Sequence, residues 1–282
     1  MSICYFEGVF RPTKECSLPV TDLVITRGVG VFDSIRSYNR VPFALDEHMK
    51  RLEESALKVG IAVGDIVERI KLTILEGLRR NDCPHTQNGD SLIRAYITGG
   101  DTNYRGLFHN PRYFIIFEQG EPIDESEYSE GITLQPTAEY RPYPLVKSVN
   151  YLVGIMQSAG REDVSECLYC PGGEALEALK SSFFMCKDNM IVTAPVGMVL
   201  GGVTRNIVVD LAKTYGFKVD ERAPKVAELL QADEAFITGT WKEVVPVVRI
   251  GDITIGDGRP GPITQRLHRL YRASRDRWLH YT

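Results

Sequence analysis

The sequence predicts a two-domain α/β (α+β) protein, on three observations. Strand-like and helix-like apolar patterns alternate through both halves of the chain. An acidic, apolar-poor stretch, Gly120-Glu-Pro-Ile-Asp-Glu-Ser-Glu-Tyr-Ser-Glu-Gly131, separates the halves and reads as a linker. A glycine pair, Gly201-Gly202, stands at a loop-to-helix junction in the second half. The division that follows is 1–119 for a smaller N-terminal domain, 120–131 for the linker and 132–282 for a larger C-terminal domain. A chain of 282 residues is long enough to bury a core in each.

The elements follow in order. Ile3 to Phe6, a turn at Glu7-Gly8, and Val9-Phe10 make a hairpin. Gly30 to Tyr38 is a strand that turns at Asn39-Arg40 into Val41 to Ala44. Asp46 is the expected N-cap of a helix over 47–59, with Met49, Leu52, Ala56 and Val59 on one face and Gly60 past its end. Asp65 is the expected cap of a second helix, striped by Ile66, Ile70, Ile74 and Leu78. Ser91 to Thr98 and Tyr113 to Phe117 are strands joined by a polar loop, Gly99 to Pro111.

Beyond the linker, Ile132 to Gln135 is a strand, Pro136 to Leu145 a loop and Asn150 to Ala159 a helix. Short strands are expected at Cys167 to Tyr169, Phe183 to Cys186 and Met190 to Ala194. Ile207, Val208, Leu211, Ala212 and Tyr215 set a helix after the glycine pair, with Gly216 at its C-terminus. A strand at Phe217 to Val219, a short helix at Val226 to Leu230 and a strand at Glu234 to Thr238 come next. A hairpin, Val244 to Ile250 with Ile253 to Ile255, precedes a terminal helix opened by Pro262.

Composition narrows the class. The net charge of −4 argues against a nucleic-acid or anionic-membrane surface. No apolar run is long enough to span a bilayer, and Met1 to Glu7 lacks the basic region and apolar core of a secretory signal. A cytoplasmic protein without membrane or nucleic-acid partners is expected. Cysteines at 4, 16, 83, 167, 170 and 186 form no disulfide framework. Cys167-Leu-Tyr-Cys170 lacks the second ligand pair of a zinc site, and it ends a strand where a redox pair opens a helix. The histidines show no metal-ligand spacing, so no metal is expected.

Several stretches have the chemistry of a site. The first N–H groups of the helix after Gly201-Gly202 lack intrahelical acceptors, and the helix dipole adds positive charge there. Glycines admit a ligand to the bare backbone, so Gly201 to Thr204 reads as a phosphate cup, or else as an ordinary capped turn. Lys147, flanked by Leu145 and Val146, suits a Schiff-base lysine because burial disfavours the charged form; it also reads as a surface lysine before a helix. Glu177 is a carboxylate fit for pairing with a pyridine nitrogen, or a solvated loop residue. Arg51 offers paired donors to an anion, or belongs to a solvated helix face. Thr238-Gly-Thr240 ends a strand with backbone N–H groups and hydroxyls, and is otherwise a turn. There is no GxxxxGK, GxSxG or HExxH.

Taken together, these stretches resemble the fold-type IV pyridoxal-phosphate enzymes, the class IV aminotransferase family. The resemblance runs from about residue 5 to 272. It is carried by Arg27-Gly-Val-Gly-Val-Phe-Asp-Ser-Ile-Arg36, Leu45-Asp-Glu-His-Met-Lys-Arg-Leu52 and Lys147-Ser-Val-Asn-Tyr151. It continues through Leu200-Gly-Gly-Val-Thr-Arg205, Ala232 to Thr240, Glu243-Val-Val-Pro246 and Gly256-Asp-Gly-Arg-Pro-Gly-Pro262. It implies two α/β domains with pyridoxal 5'-phosphate between them, in a homodimer whose partner lends loop residues such as Gly99 to Pro111. Lys147 would hold the cofactor and shuttle the proton, Glu177 would pair with the pyridine nitrogen, and Tyr151 would contact the phenolic oxygen. Arg51, Val203, Thr204 and Thr240 would hold the phosphate. The implied reaction moves an amino group from an amino acid to a 2-oxo acid by ping-pong kinetics.

Departures from the family bear on the substrate. Asp33 stands where glutamate is common, which shortens that arm in the expected substrate pocket. Ser182 replaces the usual asparagine, Lys180 a small polar residue, and Trp241 a small residue after Thr240. Arg94 matches an arginine of branched-chain enzymes, while Leu92 replaces the neighbouring tyrosine. The D-amino-acid enzymes carry a carboxylate-trapping arginine where this chain has Gly99, and Arg105 is an alternative trap. The reading that results is an aminotransferase for branched-chain or similar L-amino acids with 2-oxoglutarate. The alternatives are a D-amino-acid aminotransferase, an aminodeoxychorismate lyase, or a non-catalytic module that kept the fold.

Overall fold

The computed structural model describes residues 2–101, 108, 110–121, 123–161 and 163–280. They divide into two compact units. The first comprises Met1–Pro122 with Val146–Asn150 and Asp276–Thr282; the second comprises Ile123–Leu145 and Tyr151–Arg275.

The first unit is built from β1 (Ile3–Phe6), β2 (Val9–Pro12), α1 (Leu23–Arg27), β3 (Gly30–Tyr38), β4 (Val41–Pro42), α2 (Leu45–Lys58), α3 (Ile66–Arg79), β5 (Ser91–Thr98) and β6 (Arg112–Glu118). Its six-stranded sheet runs β2-β1-β6-β5-β3-β4, antiparallel at each pairing. Successive residues of a strand face opposite ways. Along β3, Val31, Asp33 and Ile35 are buried, whereas Phe32, Ser34 and Arg36 are half-buried on the other face. Val31 and Ile35 join Ile93, Ile115 and Phe117 in a core completed by Met49, Leu52 and Ala56 of α2 and Ile70, Ile74 and Leu78 of α3.

Helix starts in this unit differ in detail from expectation. The N-cap of α2 is Ala44, in the left-handed region at φ 48°, so Asp46 sits inside the first turn. There it still complements the helix dipole, and it takes the Lys71 ammonium at 2.6 Å. Helix α1 was not expected; the buried Asp22 caps it, accepting from Val24 N at 2.9 Å.

The short β4 covers one end of β3, and a later segment takes the other end. Val31 bridges Ser148, Phe32 N donates to Lys147 O at 2.9 Å, and Val149 N donates to Gly30 O at 3.1 Å. These bonds are why Val146–Asn150 belongs to the first unit, although the linear division puts it in 132–282. The chain end follows suit: Leu279 bridges Phe43, and Ala44 N donates to Trp278 O at 2.8 Å.

The second unit opens with α4 (Glu125–Ser129), in the stretch expected as a linker. Its Asp124 cap accepts from Ser126 N at 2.9 Å. Tyr128 donates to Lys242 O at 3.1 Å and stacks on His268 with ring centroids 4.5 Å apart, which ties the helix into this unit. There follow β7 (Ile132–Thr137), α5 (Leu152–Ser158), β8 (Glu166–Tyr169), β9 (Glu177–Ala178), β10 (Ser182–Lys187), β11 (Met190–Thr193) and α6 (Val203–Thr214). The unit ends with β12 (Lys218–Asp220), α7 (Val226–Leu229), β13 (Glu234–Gly239), β14 (Glu243–Ile250), β15 (Ile253–Thr254) and α8 (Pro262–Ser274).

The nine strands run β12-β11-β10-β13-β14-β7-β8-β9, with β15 on β14. Because β9 pairs with both β8 and β10, the path from β10 through β13, β14, β7 and β8 closes into a ring. Leu134, Phe183, Met185, Ile237, Val245 and Val247 fill its core. The buried Glu234 caps α8, accepting from Ile263 N at 2.9 Å and Thr264 N at 2.8 Å. The architecture is thus a mixed α/β fold on two sheets. No helix among the described residues is long and apolar enough to cross a membrane.

Candidate active site

In the first unit the candidate chemistry gathers at the end of β3 that Val146–Asn150 takes. Lys147 is fixed there by its backbone: its O accepts from Phe32 N, and its N donates to the Ser55 hydroxyl at 3.2 Å. The side chain is buried, and Nζ lies 4.8 Å from the centroid of the Phe32 ring. A primary amine is thereby held in one place on a rigid sheet edge.

Beside it lies a buried charged triad. Arg51 donates to Asp33 through Nε at 2.8 Å and Nη2 at 2.7 Å, and His48 Nδ1 lies 2.8 Å from Asp33 Oδ1. Asp33 and His48 are both fully buried. The expectation of Asp33 as a shortened arm in a substrate pocket is corrected here. The alternation of β3 turns Asp33 toward α2, with Val31 and Ile35, and its carboxylate positions Arg51. Asp33 takes two of the donors on Arg51, of which a guanidinium has five.

The triad makes stability depend on pH. Burial alone would raise the Asp33 pKa; the charges of Arg51 and His48 and their hydrogen bonds more than reverse this and hold it well below the usual carboxylate range. Burial holds His48 below its ordinary value, against the opposing pull of Asp33. Unfolded chains take up the histidine proton below about pH 6.5 and the aspartate proton below about pH 4. The folded state resists both protons, so acid favours unfolding. The denaturant midpoint is expected to fall as pH drops below about 6.5 and to fall further below about 4. A His48→Gln variant is expected to lose the upper part of that fall; chemical denaturation at a series of pH values checks it.

In the second unit the glycine pair leads into α6 as the pattern predicts, with Gly202 as N-cap and Gly216 past the end at φ 84°. Gly202 has no side chain with which to cap the first turn at Val203 and Thr204. A Cβ at Gly202 would meet the Ser182 hydroxyl at 2.6 Å and Arg205 Cβ at 3.1 Å, so a larger residue would crowd this turn. Ser182 pairs in register with Glu177 on one side and Thr238 on the other. Directly opposed residues share a face. Thr238 Oγ1 is buried and makes no hydrogen bond among the described residues. The first turn of α6, a carboxylate and a buried unsatisfied hydroxyl therefore share one neighbourhood, with Thr240 half-buried just past β13.

Glu177 is buried and paired with Arg141, whose Nη1 lies 3.1 Å from Oε2. The same guanidinium lies 5.7 Å from the centroid of Tyr151, at the N-cap of α5. Sequence reasoning passed over Arg141, one residue in an irregular loop. The signal present was an arginine between two tyrosines, Tyr140 and Tyr143. Burial opposes the charge on Arg141, and Glu177 with the nearby tyrosines raises its pKa nonetheless.

The remaining expected residues fall elsewhere. Arg94 lies on the half-buried face of the first sheet and pairs with Glu118. Arg105 lies outside the described residues. Trp241 is half-buried after Thr240, and Lys180 is exposed while its backbone N donates to Glu166 at 2.7 Å. A Cβ at Gly99 would meet Val29 Cγ1 at 2.9 Å and Leu23 Cδ1 at 3.2 Å, so an arginine at this position would have to displace those side chains. Cys167 and Cys170 are buried free thiols, and burial pushes Cys170 up to about 12, far from a reactive thiolate.

The chain finds counterparts among known proteins. A family model described as amino-transferase class IV matches residues 30–250. The chain is 32% identical over 268 residues to a D-alanine aminotransferase of Bacillus licheniformis, covering 93% of each. It is also 32% identical over 288 residues to a provisionally assigned branched-chain-amino-acid aminotransferase of Methanocaldococcus jannaschii, covering 97% of this chain and 96% of that one. Its fold matches the crystal structure of the T.th. branched-chain amino acid aminotransferase with pyridoxamine 5'-phosphate at a TM-score of 0.86 and 26% identity, covering 99% of this chain and 98% of that one.

Proposed function

Because this chain belongs to the class IV aminotransferase family and is an enzyme of that class, we propose that it moves an amino group between a branched-chain or similar L-amino acid and a 2-oxo acid such as 2-oxoglutarate. The cofactor on this reading is pyridoxal 5'-phosphate. The observation that carries the reading is Lys147, a buried amine pinned by its backbone to the edge of β3.

The residues present fit that cofactor on structural grounds. The bare first turn of α6 behind Gly202 suits a phosphate, and the unsatisfied Thr238 hydroxyl, across Ser182 from Glu177, suits a polar ligand. Lys147 would bind the cofactor's aldehyde carbon, and Val203, Thr204, Thr240 and Arg51 would hold its phosphate. Glu177, kept in place by Arg141, would meet the ring nitrogen, and Tyr151 the phenolic oxygen. When bound, the cofactor supplies an electron sink for the bond electrons of the substrate α-carbon.

Within this frame the chain's own groups do the proton work. Lys147 Nζ would take the α-proton of the substrate and pass it to the former aldehyde carbon of the cofactor, and its attachment to β3 keeps the amine within reach. Ping-pong kinetics are expected, with the oxo acid product leaving before the second oxo acid enters. We also assign the enzyme as a homodimer. Leu152, Ile155 and Met156 on α5 are 65%, 55% and 66% exposed, an apolar group that supports association with a second copy.

A second reading has its own support, since the D-alanine aminotransferase of B. licheniformis is as similar as the provisionally assigned branched-chain enzyme. The crowded Gly99 favours the L-reading. The test is to offer cofactor-loaded enzyme single amino acids of both chiralities and follow cofactor absorbance and oxo acid release. Conversion by L-leucine, L-isoleucine or L-valine, reversed by 2-oxoglutarate, is expected. Conversion by D-alanine alone would replace this reading with the D-enzyme, and pyruvate from aminodeoxychorismate would replace it with the lyase.

A further inference from the structure

The half-buried face of the first sheet holds an ion pair that the cofactor chemistry does not use. Across β3, β5 and β6 the register sets Phe32 opposite Tyr96 and Phe114, Ser34 opposite Arg94 and Ile116, and Arg36 opposite Leu92 and Glu118. Phe32, Tyr96 and Phe114 stack across the strands, with centroids 5.4 Å and 4.6 Å apart. The Lys147 ammonium lies over the first of these rings. Arg94 is cross-strand partner to Ser34, one pleat from Phe32 on the same face, and such diagonal neighbours stand about 7–8 Å apart. Arg94 therefore shares a face with the ring that lies under the reacting amine.

Arg94 is not an open cation. Nη2 donates to Glu118 Oε2, and the two side chains remain 35% and 29% exposed, so a ligand can reach the pair. Arg94 Nε is shielded from solvent and makes no hydrogen bond among the described residues. The guanidinium thus has an internal counterion on one side and an unsatisfied donor on another. The neighbouring cation on this face, Arg36, is held by Asp90 at 2.7 Å.

We propose that Glu118 is a specificity-determining residue, which sets the choice between dicarboxylic and uncharged substrates by occupying Arg94. The proposal rests on the transamination reading. A substrate with an uncharged side chain leaves the pair closed over the aromatic row. A substrate with a second carboxylate meets Glu118, a like charge, and gains Arg94 only by displacing it. A dicarboxylic acceptor such as 2-oxoglutarate is therefore handicapped relative to the oxo acid of leucine. The same pair read as purely structural would affect folding and leave this ratio alone.

The experiment compares kcat/KM for L-glutamate and L-leucine in the cofactor-loaded enzyme and in Glu118→Gln. Glu118→Thr, whose β-branched side chain suits a strand, serves as the second variant. The glutamate-to-leucine ratio is expected to rise about tenfold, chiefly through a lower KM for glutamate. The same change made on Arg94→Met is expected to leave the ratio of that background within about twofold, since Glu118 acts through Arg94. A ratio unchanged in both Glu118 variants, or one that moves equally with and without Arg94, overturns the proposal while transamination stands. Absence of turnover with any amino acid in the wild-type enzyme overturns the transamination reading, and this inference with it.

Discussion

Lys147→Ala is expected to abolish transamination while the protein stays folded. The bonds that fix this stretch to β3 are made by backbone atoms of Lys147 and Val149, so truncating the side chain leaves them in place. What is lost is the amine over Phe32. Positioned acid–base groups contribute about 10²–10⁴-fold to rate, and this amine also has the cofactor-binding role, so turnover should drop by at least about 10³-fold. Steady-state assays against wild type, with circular dichroism and a melting curve, check both halves. Turnover near the wild-type level in a folded variant would remove Lys147 from its role.

Asp33→Ala is expected to produce the largest loss of stability of any change near the site. Asp33 is fully buried and takes Arg51 and His48, so its removal strands a guanidinium with its counterion gone. Breaking one partner out of a buried pair costs about 3–5 kcal/mol, because the remaining charge stays out of water. At about 2–4 °C per kcal/mol for a protein of this size class, the melting temperature should fall on the order of 10 °C. Asp33→Asn, which preserves volume and removes the charge, should show most of the same loss. A drop below about 1 kcal/mol in both, measured by denaturant titration, would mean that Arg51 is held by other contacts.

Much of the fold could be read from local pattern, and particular residues show where that stops. The Gly30–Tyr38 strand matches its expected bounds residue for residue. The helix behind Gly201-Gly202 was legible from its apolar spacing and from Gly216. Asp33 was misassigned although the alternation of its strand was available: two residues from Val31 and from Ile35, it faces the core with them. Strand β9 was not legible, because two residues, Glu177 and Ala178, form a strand only where β8 and β10 flank them. Helix α1 escaped for a similar reason. Its cap, Asp22, is held from far along the chain by Thr98 at 2.9 Å and Arg112 at 3.0 Å.

The candidate site divides in the same way. The residue types at Lys147, Glu177 and the glycine pair suggested a chemistry, and each alone had an ordinary alternative. Only the fold supplies the burial of Lys147, the row of Glu177, Ser182 and Thr238, and the guanidinium of Arg141 on Glu177. The linear boundary before residue 132 also assigned Lys147 to the wrong compact unit. Segment Val146–Asn150 is recruited by the open edge of β3, a long-range pairing that composition does not announce.

The most direct measurement is borohydride reduction of the cofactor-loaded enzyme, followed by proteolysis and mass mapping of the modified peptide. The account predicts one pyridoxyl adduct, on Lys147, and its loss when L-leucine is added before the reductant. An adduct on another lysine, or no adduct at saturating pyridoxal 5'-phosphate, would contradict it.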